Sequence, residues 1–335
     1  MYILSVETSC DETSVAILKN QRELKSLKVY SQIEIFKNYG GVIPEVASRN
    51  HVKKITKLIE DSLIEADLKP KDISLVAVTI GPGLIGSLLI GINAASAFAY
   101  VNDISIVGVN HLAGHIYSAN LVKEINFPAL ALIISGGHTD LVLINKHMNF
   151  TLLGKTLDDA AGEAYDKVAK ILDLSYPGGP RIDELAKKGS DIYDFSRPFL
   201  KDHGFNFSFS GLKSSVYNLC NKLKGNYRKE DIACSFQNAV IDVIIYKIKM
   251  ALKKYNVNQL LIVGGVASNS ELRKRVTNEI SNIEIVIPPK KFCTDNAAMI
   301  AAAAYFMEIS PSNEQDYIFN TNPKLELSKN ESKDH

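Results

Sequence analysis

Two histidines four residues apart, His111 and His115 in HLAGH, carry the clearest chemical signal in the chain, and an aspartate far downstream, Asp295 in CTDNAAM, joins them. Positions i and i+4 of a helix share one face, so both imidazoles can reach one cation while the distant carboxylate completes a two-His, one-carboxylate set with open coordination positions. The other reading of this spacing is a surface helix with two unrelated histidines. A second group is acidic. Asp11 and Glu12, with Glu7 close before them, occupy the first polar turn, where carboxylates either shape the turn or face a cleft. A third is glycine-rich: Ser135-Gly136-Gly137, Gly264-Gly265 and Pro177-Gly178-Gly179-Pro180 can bring backbone amides close to an anion. Each alone is also an ordinary turn, but together in one half of the chain they favour a nucleotide-like ligand.

These groups need elements to hold them. ILSVETSCDETSVAIL at 3–18 reads as strand, polar turn, strand, and ALIISGGHTDLVLI at 131–144 has the same layout. Glu12-Thr13-Ser14-Val15 lines up with His138-Thr139-Asp140-Leu141. After the first hairpin the periodicity predicts a helix over 51–66, a strand over 75–80 and a helix over 86–100. After the second it predicts helices over 158–172 and 229–255, a strand over 259–263 and a helix over 269–280. The repeat predicts an α/β fold of two similar lobes, 1–127 and 128–294, facing a nucleotide-binding cleft. A closing region, 295–319, carries an apolar helix over 296–307, and a polar tail, 320–335, is expected to fray.

The 335-residue length and 46% hydrophobic content suit about two domains. A formal net charge of +1 does not mark a nucleic-acid binder by itself, and the local clusters at Lys53, Lys54 and Lys57, at 273–275 and at Lys290 and Lys291 read first as solvated helix faces. Four scattered cysteines without a Cys-x-x-Cys pair fit a reducing compartment. The first strand carries Glu7 and lacks a basic n-region, so no signal peptide is expected and the chain reads as cytoplasmic. The uncharged run 84–101 holds glycines, an asparagine and serines, which favours a buried helix over a membrane span. GPGLIG at 81–86 fits a dinucleotide fingerprint, but the strand that should end in an acidic residue, 104–109, runs into Asn110 and His111; the glycines read as a tight strand-to-helix turn.

Nine segments in order, VETSCDETSVAI, YGGVIPEVASRNH, NHLAGH, SGGHTDL, LDDAAGEAYDKVAK, YPGGP, FSFSGLK, GGVASN and CTDNAAMIA, resemble the TsaD family of tRNA N6-threonylcarbamoyladenosine synthases, bacterial type. The resemblance implies the two-lobed actin, hexokinase and Hsp70 type of fold. It also implies transfer of a threonylcarbamoyl group from threonylcarbamoyl-AMP to N6 of adenosine 37 in tRNAs reading codons that begin with A. By similarity His111, His115 and Asp295 would ligate one divalent metal ion, usually assigned as Fe2+, with Zn2+ or Mg2+ as substitutes. Ile134, Ser135, Gly136, Gly137 and His138 match the substrate-binding turn, and Asp166, Gly179, Asp183 and Asn269 match the other substrate contacts. The implied partners are tRNA and the TsaB and TsaE proteins, with no membrane.

Asp11 or Glu12 is the expected general base or amine-orienting group, from its place in the first hairpin turn. Two other classes compete. A zinc peptidase would place Glu directly after the first histidine, where this chain has Leu112. An actin-like ATPase or regulatory protein would hold Mg2+ through carboxylates and water rather than imidazoles.

Overall fold

The computed structural model describes residues 1–198, 204–307 and 317–327. The chain divides into two compact units, one formed by Met1–Ile125, His147–Asn149 and Lys291–His335, the other by Asn126–Lys146 and Phe150–Lys290.

In the first unit the apolar runs on either side of the polar turn become strands β1 (Tyr2–Glu7) and β2 (Glu12–Lys19), paired antiparallel with Glu7 opposite Ser14. Strands β3 (Glu23–Ser31), β4 (Leu75–Gly81) and β5 (Ile106–Asn110) complete a five-stranded sheet in the order β3-β2-β1-β4-β5. β1, β4 and β5 run parallel, an arrangement that buries both faces, which is why their sequences are almost continuously apolar. Leu4, Val6, Val15, Ile17, Val76 and Val78 pack with Ile55, Ile59 and Ile92 of the helices Pro44–Ala66 and Ile85–Val101. Ala16 packs on the other cluster with Ala297 and Ala298, which open the fully buried helix Ala297–Ala304.

The second unit repeats this order. β6 (Ala129–Ile134), β7 (Thr139–Lys146), β8 (Asn149–Lys155), β9 (Gln259–Val263) and β10 (Glu284–Val286) form a sheet ordered β10-β9-β6-β7-β8. Reversed, that order is β8-β7-β6-β9-β10, the counterpart of β3-β2-β1-β4-β5. The duplication inferred from two hairpins therefore extends to all five strands of each sheet.

Several elements differ from expectation. The helix predicted from residue 51 begins at Pro44, where proline's missing N–H costs nothing in the first turn. The helix predicted from 158 begins at Ala161, whose N–H is held by Thr139 Oγ1. Asp158 instead accepts from the N–H and hydroxyl of Ser210 and from Phe209 N–H, opening the unpredicted helix Ser210–Leu223. Pro177-Gly178-Gly179-Pro180 is not a free turn: it leads into the helix Gly178–Ala186, and a Cβ on Gly178 would lie 2.4 Å from Ala169 Cβ. Residues 320–327 stay on the first unit, with Asn322 N–H donating to Ile80 O, Gly83 N–H to Pro323 O, and Leu325 buried. Residues 308–316 of the closing region and 328–335 of the polar tail lie outside the described residues. No helix among the described residues is long and apolar enough to cross a membrane.

Candidate metal centre

The histidine pair stands where a strand turns into a helix. β5 ends at Asn110, whose side-chain oxygen accepts from the N–H groups of Leu112 (2.8 Å) and Ala113 (3.3 Å) and starts the helix His111–Ser118. Asp295 precedes the buried helix Ala297–Ala304, whose first residue is held by two serines of the sheet: Ser14 Oγ accepts from Ala297 N–H (2.9 Å) and Ser5 Oγ donates to Ala297 O (2.7 Å). Gly114 brings the two helices together, since a Cβ there would lie 2.7 Å from Ile300 Cδ1. Asp295 Oδ1 consequently sits 3.6 Å from His111 Nε2 and 3.3 Å from His115 Nε2, and one ligand atom from each of the three residues lies within 4.8 Å of the others.

This donor set fits a cation. His115 is fully buried, neither of its ring nitrogens has a hydrogen-bond partner among the described residues, and its Nε2 faces Asp295 Oδ1 at 3.3 Å. Buried nitrogens left so cost about 1–3 kcal/mol, a cost a coordinated ion removes at one of them. His111 is oriented from behind. Its Nδ1 lies 3.1 Å from Glu7 Oε2 and 3.1 Å from Ser9 Oγ, and since a carboxylate only accepts, Nδ1 carries the proton and Nε2 is turned toward Asp295. Glu7 is itself fixed by Ser9 N–H (2.6 Å) and the Thr79 hydroxyl (2.5 Å).

Charge follows the same geometry. Burial opposes an imidazolium at His111, but the Asp295 and Glu7 carboxylates outweigh it and hold His111 at about 9. Burial dominates at His115 and keeps it below the ordinary histidine value. At Glu7, burial is outweighed by His111, and the carboxyl stays below its ordinary value. Glu12 goes the other way: burial, then the neighbouring Asp11 and Asp295 carboxylates, push it well up, while Ser31 Oγ donates to it at 3.0 Å. Glu12 thus lies within electrostatic reach of Asp295 and of Asp11. Burial and these carboxylates also push the Cys10 thiol up, which leaves it a protonated, unreactive group.

In the second unit Ile134 ends β6, and the turn 135–138 closes with Ser135 N–H donating to His138 O (2.8 Å) and His138 N–H to Ser135 Oγ (3.2 Å). Nothing lies within 4 Å of a Cβ built on Gly136, Gly137 or Gly179. Asp166 Oδ1 accepts from Gly178 N–H (2.7 Å), joining the residue to the glycine pair it was grouped with. Asp183 accepts from the N–H (3.1 Å) and hydroxyl (2.8 Å) of Ser270, next to Asn269. Asn269 caps its helix through Leu272 N–H (2.9 Å) and donates to Gln237 Oε1 (2.7 Å). Gln237, buried in the helix Lys229–Lys254, went unmarked because nothing in its sequence context sets it apart. In sequence Glu7 stands out only as a neighbour of Asp11; the usable signal is a carboxylate closing a mostly apolar strand.

Residues 23–302 match the TsaD family, described as tRNA N6-adenosine threonylcarbamoyltransferase. Proteins of that name share 51% identity over 331 residues in Bacillus cereus (97% of this chain, 96% of the relative), 55% over 309 residues in Staphylococcus haemolyticus (91% and 90%) and 51% over 338 residues in Bacillus subtilis (99% and 97%). Among solved structures, HypF of T. kodakarensis superposes with a TM-score of 0.63 at 13% identity, covering 91% of this chain and 47% of that one. Component A of the Acidaminococcus fermentans (R)-2-hydroxyglutaryl-CoA dehydratase gives 0.56 at 18%, covering 91% and 98%. These two matches show the fold alone, the actin, hexokinase and Hsp70 type. With its family segment matched and half of its residues shared with such relatives, the chain belongs to the TsaD family, tRNA N6-adenosine threonylcarbamoyltransferases.

Proposed function

We propose that the chain transfers the threonylcarbamoyl group of threonylcarbamoyl-AMP to N6 of adenosine 37 in tRNAs reading codons that begin with A. The observation that carries this reading, given the family, is the set of two buried histidines, His111 and His115, with the half-buried Asp295, and its unsatisfied imidazole. The adenine amine is a weak nucleophile because its lone pair is delocalised into the ring, so it needs a positioned acyl donor and a proton acceptor. N6 bonds to the carbamoyl carbon, the bond from that carbon to the phosphate oxygen breaks, AMP leaves with the bonding pair, and the N6 proton passes to the Asp11 and Glu12 pair. A carboxyl raised as Glu12 is raised is a stronger base than an ordinary one.

His111, His115 and Asp295 hold the ion, and two imidazoles with one carboxylate suit Fe2+ or Zn2+ better than Mg2+. When bound, the ion supplies positive charge for the oxygens that become more negative as AMP leaves. Glu7 sets the His111 ring so that Nε2 is the ligand atom. In the second unit the amides of the turn 135–138 and Gly179, with Ile134, Asp166, Asp183 and Asn269, are the proposed contacts of the adenylate. Asp183 keeps lone pairs for a ribose hydroxyl after binding Ser270. The partners are tRNA, TsaB and TsaE in the cytoplasm. The face of the helix Ile85–Val101 that leaves Ile85, Leu89 and Tyr100 exposed is the proposed contact for TsaB.

The test mixes the purified chain with TsaB, TsaE, chemically prepared threonylcarbamoyl-AMP and unmodified tRNA, and reads modified adenosine by mass spectrometry. Product is expected from the native chain, and His111→Ala with His115→Ala should lower it at least ~100-fold, the equivalent of about 2.7 kcal/mol of transition-state charge stabilisation. Absence of product with a validated partner set would overturn the transfer reading, and full activity of the double variant would overturn the role of the centre.

A further inference from the structure

The turn that carries Asp11 and Glu12 is held by its backbone. Three successive carbonyls each accept from a different element: Ser9 O from Leu84 N–H (2.8 Å), Cys10 O from the His51 Nε2 side (2.9 Å) and Asp11 O from Gln32 N–H (3.1 Å). Two of these donors are main chain; His51 is the side chain among them. His51 lies on the inward stripe of the helix Pro44–Ala66, with Ala47, Ile55 and Ile59, and is fully buried.

Its protonation pattern follows from its partners. A carbonyl only accepts, so Nε2 must carry the hydrogen that faces Cys10 O. Nδ1 lies 2.7 Å from Thr13 Oγ1. Burial holds His51 below the ordinary histidine value, so the ring is neutral and Nδ1 accepts the Thr13 hydroxyl proton. One imidazole thereby grips the residue before Asp11 and the residue after Glu12.

We infer that His51 is a positioning residue for transfer: it clamps the turn on both sides of Asp11 and Glu12 and so aims their carboxylates, without itself touching substrate. The inference rests on the reading of Asp11 and Glu12 as the proton acceptor. Misplacing a reacting group by about an ångström costs up to roughly 100-fold in rate, while ligand binding elsewhere is spared.

Three variants test it in the reconstituted transfer assay. His51→Phe keeps the volume and loses both bonds; it should lower kcat about 10- to 100-fold with KM for threonylcarbamoyl-AMP and metal content nearly unchanged. His51→Gln, which can still donate to Cys10 O, should recover much of the rate. Thr13→Val, nearly isosteric, should give a smaller loss and serves if His51→Phe does not fold. Hydrogen exchange of amides in 9–13 should speed up in His51→Phe and Thr13→Val. The His51→Phe loss should also shrink in an Asp11→Asn, Glu12→Gln background, because residues acting through one unit are non-additive. Full transfer by His51→Phe, or a slowed transfer with unchanged exchange in the turn, overturns the inference. If Asp11→Asn and Glu12→Gln transfer at full rate, the base reading falls by itself; protection of the turn by His51 is then decided by exchange alone, and unchanged exchange overturns that too.

Discussion

The two hairpin turns occupy the same place in duplicated sheets and carry opposite kinds of residue. In the first unit residues 8–13 separate the last paired residues, Glu7 and Ser14, and the turn is dense with carboxylates and donors. In the second, residues 135–138 separate Ile134 from Thr139, and its middle is two glycines with open space around them. The first turn is a charged, braced platform beside the histidines; the second is a bare loop of amides. A shared topology therefore fixes where a turn lies, while its side chains decide what chemistry it can offer.

The largest effect that separates the turns is expected at Glu7. Glu7→Gln keeps the shape but removes the charge behind His111, and divalent-metal affinity measured by calorimetry should drop about 10- to 100-fold. The native affinity should itself rise with pH. His111 in the metal-free protein holds its proton to about 9, and binding must displace that proton, so affinity should climb about tenfold per unit between pH 7 and 9. A flat pH profile would show that His111 is not a ligand.

Glycine substitutions come next. A Cβ on Gly162 would lie 2.5 Å from Ser135 O, and one on Gly136 meets nothing within 4 Å. Gly162→Ala should destabilise the chain by about 1–3 kcal/mol in thermal or urea unfolding. Gly136→Ala should leave stability within about 0.5 kcal/mol and act on adenylate binding alone. Equal stability loss from both would contradict the open second turn.

A separate, pH-confined effect concerns Asp140, two residues past that turn. Burial raises its carboxyl from 3.8 to about 6, so the folded state binds the proton more tightly than the unfolded chain does. Stability should therefore fall as pH rises from about 4 to 6 and carry a constant penalty above. Asp140→Asn should add up to ~3 kcal/mol at pH 7 and nothing near pH 3. An unchanged pH dependence of unfolding in the variant would refute this account.

Much of the framework is legible in residue order. The strand Gln259–Val263 stands at its predicted bounds, and the strand Leu75–Gly81 and the helix Ile85–Val101 shift from their predicted bounds by one residue at most at each end, because buried runs and turn glycines are local signals. β3 is not legible because it is a half-exposed outer strand whose lysines, serines and glutamate break the apolar pattern, nor is the helix Ser210–Leu223, because its start is capped from a distance by Asp158. The described part of the tail, 320–327, differs from the expected fraying because polar composition says nothing about a backbone that pairs with Ile80 and Gly83.

The site divides in the same way. Residue types and an i, i+4 spacing were enough to pair His111 with His115, since helix geometry alone puts them on one face. Their meeting with Asp295 depends on Ser5, Ser14 and Gly114, which lock one helix against another from distant parts of the chain. The ring orientation of His111, the raised Glu12 and the clamp of His51 on the turn also come from tertiary packing. Each is set by the distance and burial of groups remote in sequence, and charge and hydrogen bonding respond to those distances rather than to order along the chain.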